Sequence, residues 1–199
     1  AYALFGYEPA LSGEIKILDE KVIISSPRKA IKNGIGYLSE NRKELGLFIN
    51  MEYRENIESN NLEKFTKNLI LNRKKRDSIS EQLKNKFDIK IPSIQQIVLN
   101  LSGGNQQKVS ISKWIYSNLK ILIVDEPTIG VDVGAKFSIY NILKEINRNG
   151  VSIIMISSDI NETLNVSDRI IVMYEGKIGG SMTSKEANEE KILKMASGL

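Results

Sequence analysis

A short group of residues in the middle of the chain could bind a phosphate. In Leu-Ser-Gly-Gly-Asn-Gln, residues 101–106, Ser102 precedes a predicted helix that opens with Gly103 and Gly104. Serine can cap a helix, and the free N–H groups and the dipole at a helix start attract anions. Glycine also lets a phosphate approach the backbone without meeting a Cβ atom. Taken alone, the pattern fits an ordinary helix cap equally well.

A second group lies at the end of an apolar run. Residues 121–124, Ile-Leu-Ile-Val, predict a strand buried on both faces, and Asp125 and Glu126 follow directly. Ligands of open parallel sheets bind beyond the carboxyl ends of the strands. There Asp125 could hold Mg²⁺ through water and Glu126 could orient an attacking water for phosphoryl transfer. A strand that ends in two acidic residues facing water, with no catalytic role, would have the same sequence.

The composition narrows the chemistry. The 199 residues include no cysteine and no histidine, which excludes disulfides, thiolate or imidazole metal sites and any histidine-based triad within the chain. A metal would have to be a hard cation such as Mg²⁺, held by oxygen atoms. The sequence contains no G-x-x-x-x-G-K-[ST] loop to cradle nucleotide phosphates. No apolar run reaches the roughly 18 residues of a membrane helix.

The elements that must position these groups alternate along the chain, which favours an α/β fold with a mainly parallel sheet. A hairpin is predicted at residues 14–24 around a turn at Asp19-Glu20, a polar loop at residues 40–46 and a charged helical lobe from about residue 52 to residue 87. The other predicted strands are residues 35–38, 121–125, 151–157, 169–174 and 176–180. The other predicted helices are residues 26–34, 103–117, 134–150, 160–166 and 185–197.

In their order and spacing, these motifs resemble those of the ATP-binding cassette (ABC) ATPases. The matching segments are residues 34–48 at the Q-loop position, 101–115 for the signature motif, 121–128 for the Walker B strand, 128–136 for the D-loop and 157–173 for the switch region. The forms SENRKELGL, LSGGNQQKV and DEPTIGVDVGAK look like the second, C-terminal nucleotide-binding domain of the ATP-binding subunits of simple-sugar importers, of the ribose and galactoside type. The resemblance covers nearly the whole chain and places the Walker A loop just before residue 1, which predicts a truncated domain.

The resemblance implies a P-loop-NTPase-like ABC ATPase fold with an N-terminal antiparallel hairpin and a helical subdomain. The expected parts are residues 1–51 and 99–199 for the ATPase core and residues 52–98 for the helical subdomain. ATP and Mg²⁺ are the implied cofactors, and the full protein is expected to be an ATPase, although the chain alone is expected to be inactive without Walker A. The implied catalytic residues are Glu126 and Asp125, and the implied nucleotide contacts are Leu101, Ser102, Gly103, Gly104, Gln106, Glu40, Asp132 and Ser158.

Two positions depart from the family pattern. Glu40 stands where a Q-loop glutamine is expected, and Ser158 stands at the switch position that is normally histidine. A serine hydroxyl cannot become a cationic contact to a γ-phosphate, and Glu40 adds negative charge near the metal. Since ABC domains dimerise head to tail, these changes predict an asymmetric role. The domain would lend its signature motif to an ATP held by the first domain, while its own Walker side would be slow or silent.

The resemblance also implies partners. They are the first nucleotide-binding domain of the same polypeptide, membrane permease subunits contacted through the Glu40 loop and the lobe and, indirectly, a sugar-binding protein. The domain would then lie peripherally on the cytoplasmic face of the cell membrane. The fragment is also expected to self-associate if its central strand is missing. Which sugar is carried does not follow from this chain.

A different function stays open at this point. A non-transport ABC ATPase that acts on nucleic acid or ribosomes would account for the basic run Lys74-Lys75-Arg76, in a chain of net charge +4. A solvated helix face explains that run more simply, because no aromatic residues are interleaved with it, and nucleic acid is therefore not the expected partner.

Overall fold

The computed structural model describes residues 1–198 and divides the chain into two compact units, residues 1–154 and 155–199. In the first unit the elements are α1 (Tyr2–Phe5), β1 (Ile15–Ile17), β2 (Glu20–Val22), α2 (Pro27–Lys32), β3 (Ile35–Leu38), a π-helical turn (Arg42–Gly46), α3 (Tyr53–Ser59), α4 (Leu62–Phe65), β4 (Thr66–Lys67), β5 (Ile70–Leu71), α5 (Arg73–Lys86), a 3-10 turn (Val98–Asn100), α6 (Gly103–Ile115), β6 (Ile121–Asp125), α7 (Val133–Arg148) and β7 (Ser152–Ile156), whose last two residues belong to the second unit.

The central sheet has the strand order β3-β6-β7. Strands β3 and β6 pair in parallel, from Ile35 opposite Ile121 to Leu38 opposite Val124. As the apolar run predicts, Leu122 and Val124 are fully buried. The prediction of a fully buried strand at residues 151–157 is wrong in part, because β7 is the last strand of the described sheet and leaves Ile154 41% exposed. Strands β3 and β6, which are far apart in the sequence, thus end side by side. This pairing positions Asp125 at the end of β6.

The N-terminal hairpin forms as predicted, but its turn is one residue earlier than expected. Ile17 pairs with Glu20, so the turn is made by Leu18 and Asp19, with φ angles of 51° and 64°. Positive φ at both positions is the type I′ turn, whose twist matches the twist of the flanking strands. The sequence offers no glycine or asparagine there to mark the turn.

The region from residue 52 to residue 87 was predicted to be helical, but its helices are interrupted. Helices α3, α4 and α5 are present, and α3 begins with a capping box between Glu52 and Glu55. Between α4 and α5, however, β4 and β5 form a small antiparallel hairpin. Its turn residues, Asn68 and Leu69, have φ angles of 50° and 65°. Leu69 was expected on an apolar helix face, and in the hairpin it is 99% exposed.

The lobe and the sheet share one hydrophobic core, whose buried members include Tyr53, Ile57, Leu83, Trp114 and Ile139. The predicted domain boundaries at residues 51/52 and 98/99 both fall inside the first unit. They remain a prediction about subdomains within it.

A buried lysine ties α6 to the π-helical turn. Lys113 is 6% exposed, and its ammonium group donates to the Gly46 carbonyl over 2.7 Å and lies 5.1 Å from the centre of the Phe48 ring. Burial removes this ammonium from water and lowers its pKa to about 8. The contact fixes the C-terminal end of the turn against the helix that carries the signature motif.

This lysine should make stability depend on pH. Between the folded pKa of about 8 and the ordinary value of about 10.5, the unfolded chain holds a proton that the folded chain has released, so the free energy of unfolding should rise with pH across that window. Lys113→Met should abolish the rise, whereas Lys144→Met, at an exposed position of α7, should keep it. Urea unfolding between about pH 7 and pH 11 measures this, and equal slopes for wild type and Lys113→Met would contradict it.

The second unit has its own small core. Its elements are α8 (Ile160–Val166), β8 (Arg169–Tyr174), β9 (Lys177–Thr183) and α9 (Glu189–Ala196). Strands β8 and β9 pair antiparallel, with a bulge after Val172. Ile170, Met182 and Ile192 form the buried centre. Among the described residues, none of the helices combines the length and the apolar character that a membrane span requires.

Candidate functional site

The start of α6 is built as the sequence predicts. Ser102 has extended backbone, and its hydroxyl accepts hydrogen bonds from the Asn105 N–H (3.4 Å) and from the Asn105 Nδ2 (3.0 Å). Ser102 is exposed, and Gly103 and Gly104 occupy the first two helical positions. Their N–H groups lie in the first turn and so have no partner within the helix. A helix of 13 residues that begins in this way can receive an anion.

Packing against a neighbouring loop gives a second reason for the two glycines. A Cβ atom on Gly103 would lie 2.5 Å from the Gly130 carbonyl oxygen, and one on Gly104 would lie 2.7 Å from the Ala135 Cβ. Both distances are too short for any side chain. The helix start therefore lies directly on Gly130, in the loop that follows β6, and on Ala135, in the first turn of α7, and the position of one depends on the other.

Arg42 joins a third segment to this contact. It stands in the π-helical turn, where a polar loop was expected, and its Nη1 donates to the Ile129 carbonyl over 2.9 Å. A Cβ atom on Gly103 would lie 2.9 Å from the Arg42 Nη2. Burial lowers the pKa of Arg42, and its Nε is buried without an acceptor among the described residues. The guanidinium thus places positive charge beside the start of α6.

Sequence reasoning missed this residue. Within the polar loop expected at residues 40–46, nothing in the sequence distinguishes Arg42 from its polar neighbours. Its partners are a backbone carbonyl and a glycine, and neither leaves a signal in the sequence.

The acidic pair lies at the end of β6. The Tyr37 hydroxyl, on β3, donates to Asp125 Oδ2 over 2.7 Å. Burial and the hydrogen bond to this carboxylate raise the pKa of Tyr37. Tyr37 therefore stays neutral and donating at any ordinary pH, which orients one oxygen of Asp125 and leaves the other available.

Glu126 has φ 46°, in the left-handed region that few residues other than glycine adopt. Backbone strain of this kind is common where a structure must aim a particular side chain. The half-buried Asp125 and Glu126 thus leave the strand in a fixed and unusual direction.

The acidic pair is compatible with Mg²⁺ but does not make a complete metal cage. No group of three or more acidic side chains that could hold a metal exists in the described part of the chain. Mg²⁺ commonly binds through one or two carboxylates, with water and substrate phosphate as its other ligands. The second carboxylate oxygen of Asp125, which accepts no hydrogen bond from residues 1–198, fits such a role.

Asp132 has a defined local role. It caps α7, and its Oδ1 accepts from the Ala135 N–H over 2.9 Å. Because Ala135 also limits the space at Gly104, the cap on α7 helps to set the position of the signature glycines. Its side chain is otherwise exposed, so a contact with another domain is sterically open.

The remaining predicted contacts lie in different surroundings. Glu40 is exposed, two residues before Arg42. Leu101 is half-buried, and Gln106 is 3% exposed, with its Nε2 donating to the Val98 carbonyl over 3.3 Å. Ser158 is exposed and belongs to the second unit. A direct nucleotide contact by any of the four stays a prediction.

Known proteins with similar sequences indicate the family to which the chain belongs. A family model described as ABC transporter matches residues 1–129. The chain is 50% identical over 198 residues to the ribose import ATP-binding protein RbsA of Clostridium tetani, covering 98% of this chain and 39% of that protein. It is 47% identical over 199 residues to the xylose import ATP-binding protein XylG of Thermoanaerobacter pseudethanolicus, covering 100% of this chain and 39% of that protein. The chain spans about two fifths of the length of these relatives.

Solved structures confirm the predicted fold. An ATP-binding cassette in a dimeric post-hydrolysis state, bound to ADP and Pi, superposes with a TM-score of 0.76 at 20% identity, covering 92% of this chain and 78% of that chain. Together with the sheet and hairpins described above, this likeness confirms the predicted α/β fold of an ABC ATPase. Since the family model matches 129 of the 199 residues, the chain belongs to the ABC transporter family.

Proposed function

We propose that the chain is the second nucleotide-binding domain of an ATP-driven monosaccharide importer, and that its main contribution is the signature motif. The relatives named for ribose and xylose import, 47–50% identical over nearly the whole chain, support the class of transporter. The observation that carries the mechanism is the start of α6, where Ser102 is exposed and the N–H groups of Gly103 and Gly104, in the first turn, have no acceptor within the helix.

The residues of this site divide the work of phosphoryl transfer to water. Ser102, Gly103 and Gly104 would bind the γ-phosphate of an ATP whose other contacts come from the first domain. Arg42 adds positive charge at the same place and holds the loop after β6 against the helix. Such a site would position the phosphate and neutralise its charge. These two effects account for most of the protein's contribution to catalysis of phosphoryl transfer.

The chain's own acidic pair would serve a second ATP less well. Asp125 would hold Mg²⁺ through water, and Glu126 would orient the attacking water. When bound, Mg²⁺ would neutralise phosphate charge. Glu40 puts a negative charge where a neutral amide would help, and Ser158 cannot replace a cationic switch residue. The proposed site is therefore catalytically weak on its Walker side.

Its partners would be the first nucleotide-binding domain, membrane permease subunits and, through them, a sugar-binding protein. The domain would lie peripherally at the cytoplasmic face of the membrane. Support for a permease contact comes from exposed apolar side chains beside the Glu40 loop, since Leu45 is 56% and Phe48 54% exposed. Exposed apolar residues that cluster in this way are typical of interaction surfaces.

The experiment is purification of the full-length polypeptide from membranes of its own cells, followed by MgATP turnover with and without the co-purified permease. We expect a permease to co-purify and to change turnover when the sugar-loaded binding protein is added. If instead no permease is retained and the protein binds RNA in a salt-sensitive manner, the non-transport alternative is correct.

A further inference from the structure

The β4–β5 hairpin exposes two large apolar side chains at its tip. Leu69 is 99% exposed and Ile70 is 73% exposed. Leu69 also has φ 65°, a left-handed conformation that costs free energy for any residue with a Cβ atom. Asparagine or glycine would relieve both the strain and the exposure. Leu18, at the turn of the N-terminal hairpin, shares both features, so the charges near Leu69 are what distinguish this hairpin.

Exposed cations flank this tip along the chain, and Lys67 pairs directly with Ile70 across the hairpin. Lys67 on β4, and Arg73 and Lys74 in the first turn of α5, are exposed and form no ion pair within residues 1–198. The next residue of α5, Lys75, differs from these three because its ammonium group donates to the Lys64 carbonyl over 2.6 Å. Cations at a helix start are opposed by the helix dipole, so they do not stabilise α5. Their positive charge is available to a partner.

Nearby acids do not cancel this charge. Asp77 is engaged with Arg54 and Arg76, at 3.3 Å and 2.8 Å. Glu63, on α4, is the remaining exposed acid of this part of the lobe. The hairpin thus exposes apolar side chains at its turn and carries positive charge on residues close to it along the chain.

We propose that this tip, Lys67 to Lys74, binds the surface of an anionic lipid bilayer. Leu69 and Ile70 would enter the boundary between headgroups and acyl chains, and the three cations would lie at the level of the lipid phosphates. Charge complementarity selects an anionic surface, and the aliphatic tip selects lipid over nucleic acid. Nucleic-acid sites of comparable size use aromatic rings for stacking, whereas Phe65, the nearest aromatic residue along the chain, is 1% exposed.

This inference goes beyond the proposed function and does not depend on it, because lipid binding by the tip requires neither nucleotide nor permease. The tip could bind vesicles even if the protein is not part of a transporter. Equally, the protein could be part of a transporter even if the tip does not bind vesicles.

The test is flotation of the full-length polypeptide with phosphatidylcholine vesicles that contain or lack phosphatidylglycerol. The first variant is Leu69→Asn, which relieves the backbone strain and removes the apolar tip. The second is the triple variant Lys67→Gln, Arg73→Gln and Lys74→Gln. Leu18→Asn is the matched control, since Leu18 also lies in a two-residue hairpin turn with φ 51° and is 77% exposed, but is followed by Asp19 and Glu20.

We expect the wild type to bind phosphatidylglycerol vesicles in a salt-sensitive manner. Leu69→Asn should weaken this binding about tenfold, and the triple variant roughly 100-fold, or about fivefold for each charge. Leu18→Asn should bind like the wild type. Equal binding by Leu69→Asn and wild type, or equal binding to neutral vesicles, would overturn the proposal. So would binding to poly(U) RNA that the triple variant loses and Leu69→Asn keeps.

Discussion

Ser102→Arg in the full-length polypeptide is expected to lower MgATP turnover at least about 100-fold, with transport lost. The Ser102 hydroxyl caps α6 and lies exposed beside the N–H groups of Gly103 and Gly104. An arginine cannot accept the Asn105 N–H, and its long side chain would occupy the space where a phosphate must approach. Turnover by the purified complex and sugar uptake by cells both measure the effect.

Ser102→Thr is the control for this change. Threonine keeps a hydroxyl that can cap the helix, so we expect turnover within about threefold of wild type. If Ser102→Arg transported sugar normally, the start of α6 would not be a phosphate site at all, and the proposed role of the signature would be wrong.

The second large effect is expected for Gly103→Ala. The added Cβ would meet the Gly130 carbonyl oxygen at 2.5 Å and the Arg42 Nη2 at 2.9 Å, so the loop after β6 must move away from α6. Overpacking of this kind costs about 1–3 kcal/mol of stability. Because the displaced loop also contains the Asp132 cap, we expect turnover to fall at least about tenfold even where the protein stays folded.

Gly134→Ala, in the first turn of α7 directly after that loop, provides the matched comparison. Its Cβ would lie 3.5 Å from the Asp132 Oδ1, an ordinary contact, and alanine favours the helical conformation found there. We expect its stability and turnover to match or slightly exceed those of wild type. Equal turnover by Gly103→Ala and Gly134→Ala would show that the contact between helix and loop does not matter for function.

Local sequence signals predicted most of the elements that carry the site. The Ser-Gly-Gly cap, the apolar run before Asp125 and the alternating helices and strands all lie where expected, because each depends on neighbours along the chain. The sequence could not locate the turn at Leu18 and Asp19 or the hairpin at Asn68 and Leu69. The pairing of the flanking strands imposes positive φ on the leucine in each turn. The intrinsic conformational preference of leucine does not predict it.

The contacts that join separate segments were also beyond sequence reasoning. Arg42 donates to Ile129, 87 positions away, and Tyr37 donates to Asp125, 88 positions away. Such partners become neighbours only when β3 and β6 pair and the following segments are brought to the same edge of the sheet. The residue types alone permit many other partners.

The central claim is that this domain lends its signature motif while its own Walker side is nearly idle. MgATP turnover by the full-length polypeptide carrying Glu126→Gln tests it most directly, with Ser102→Arg measured in parallel. The exchange keeps the size of the side chain and removes the carboxylate that would orient water. We predict turnover within about twofold of wild type for Glu126→Gln, beside its collapse in Ser102→Arg. A fall of about 100-fold or more in Glu126→Gln, the size typical of a lost general base, would contradict the claim and make Glu126 a working catalytic residue despite Glu40 and Ser158.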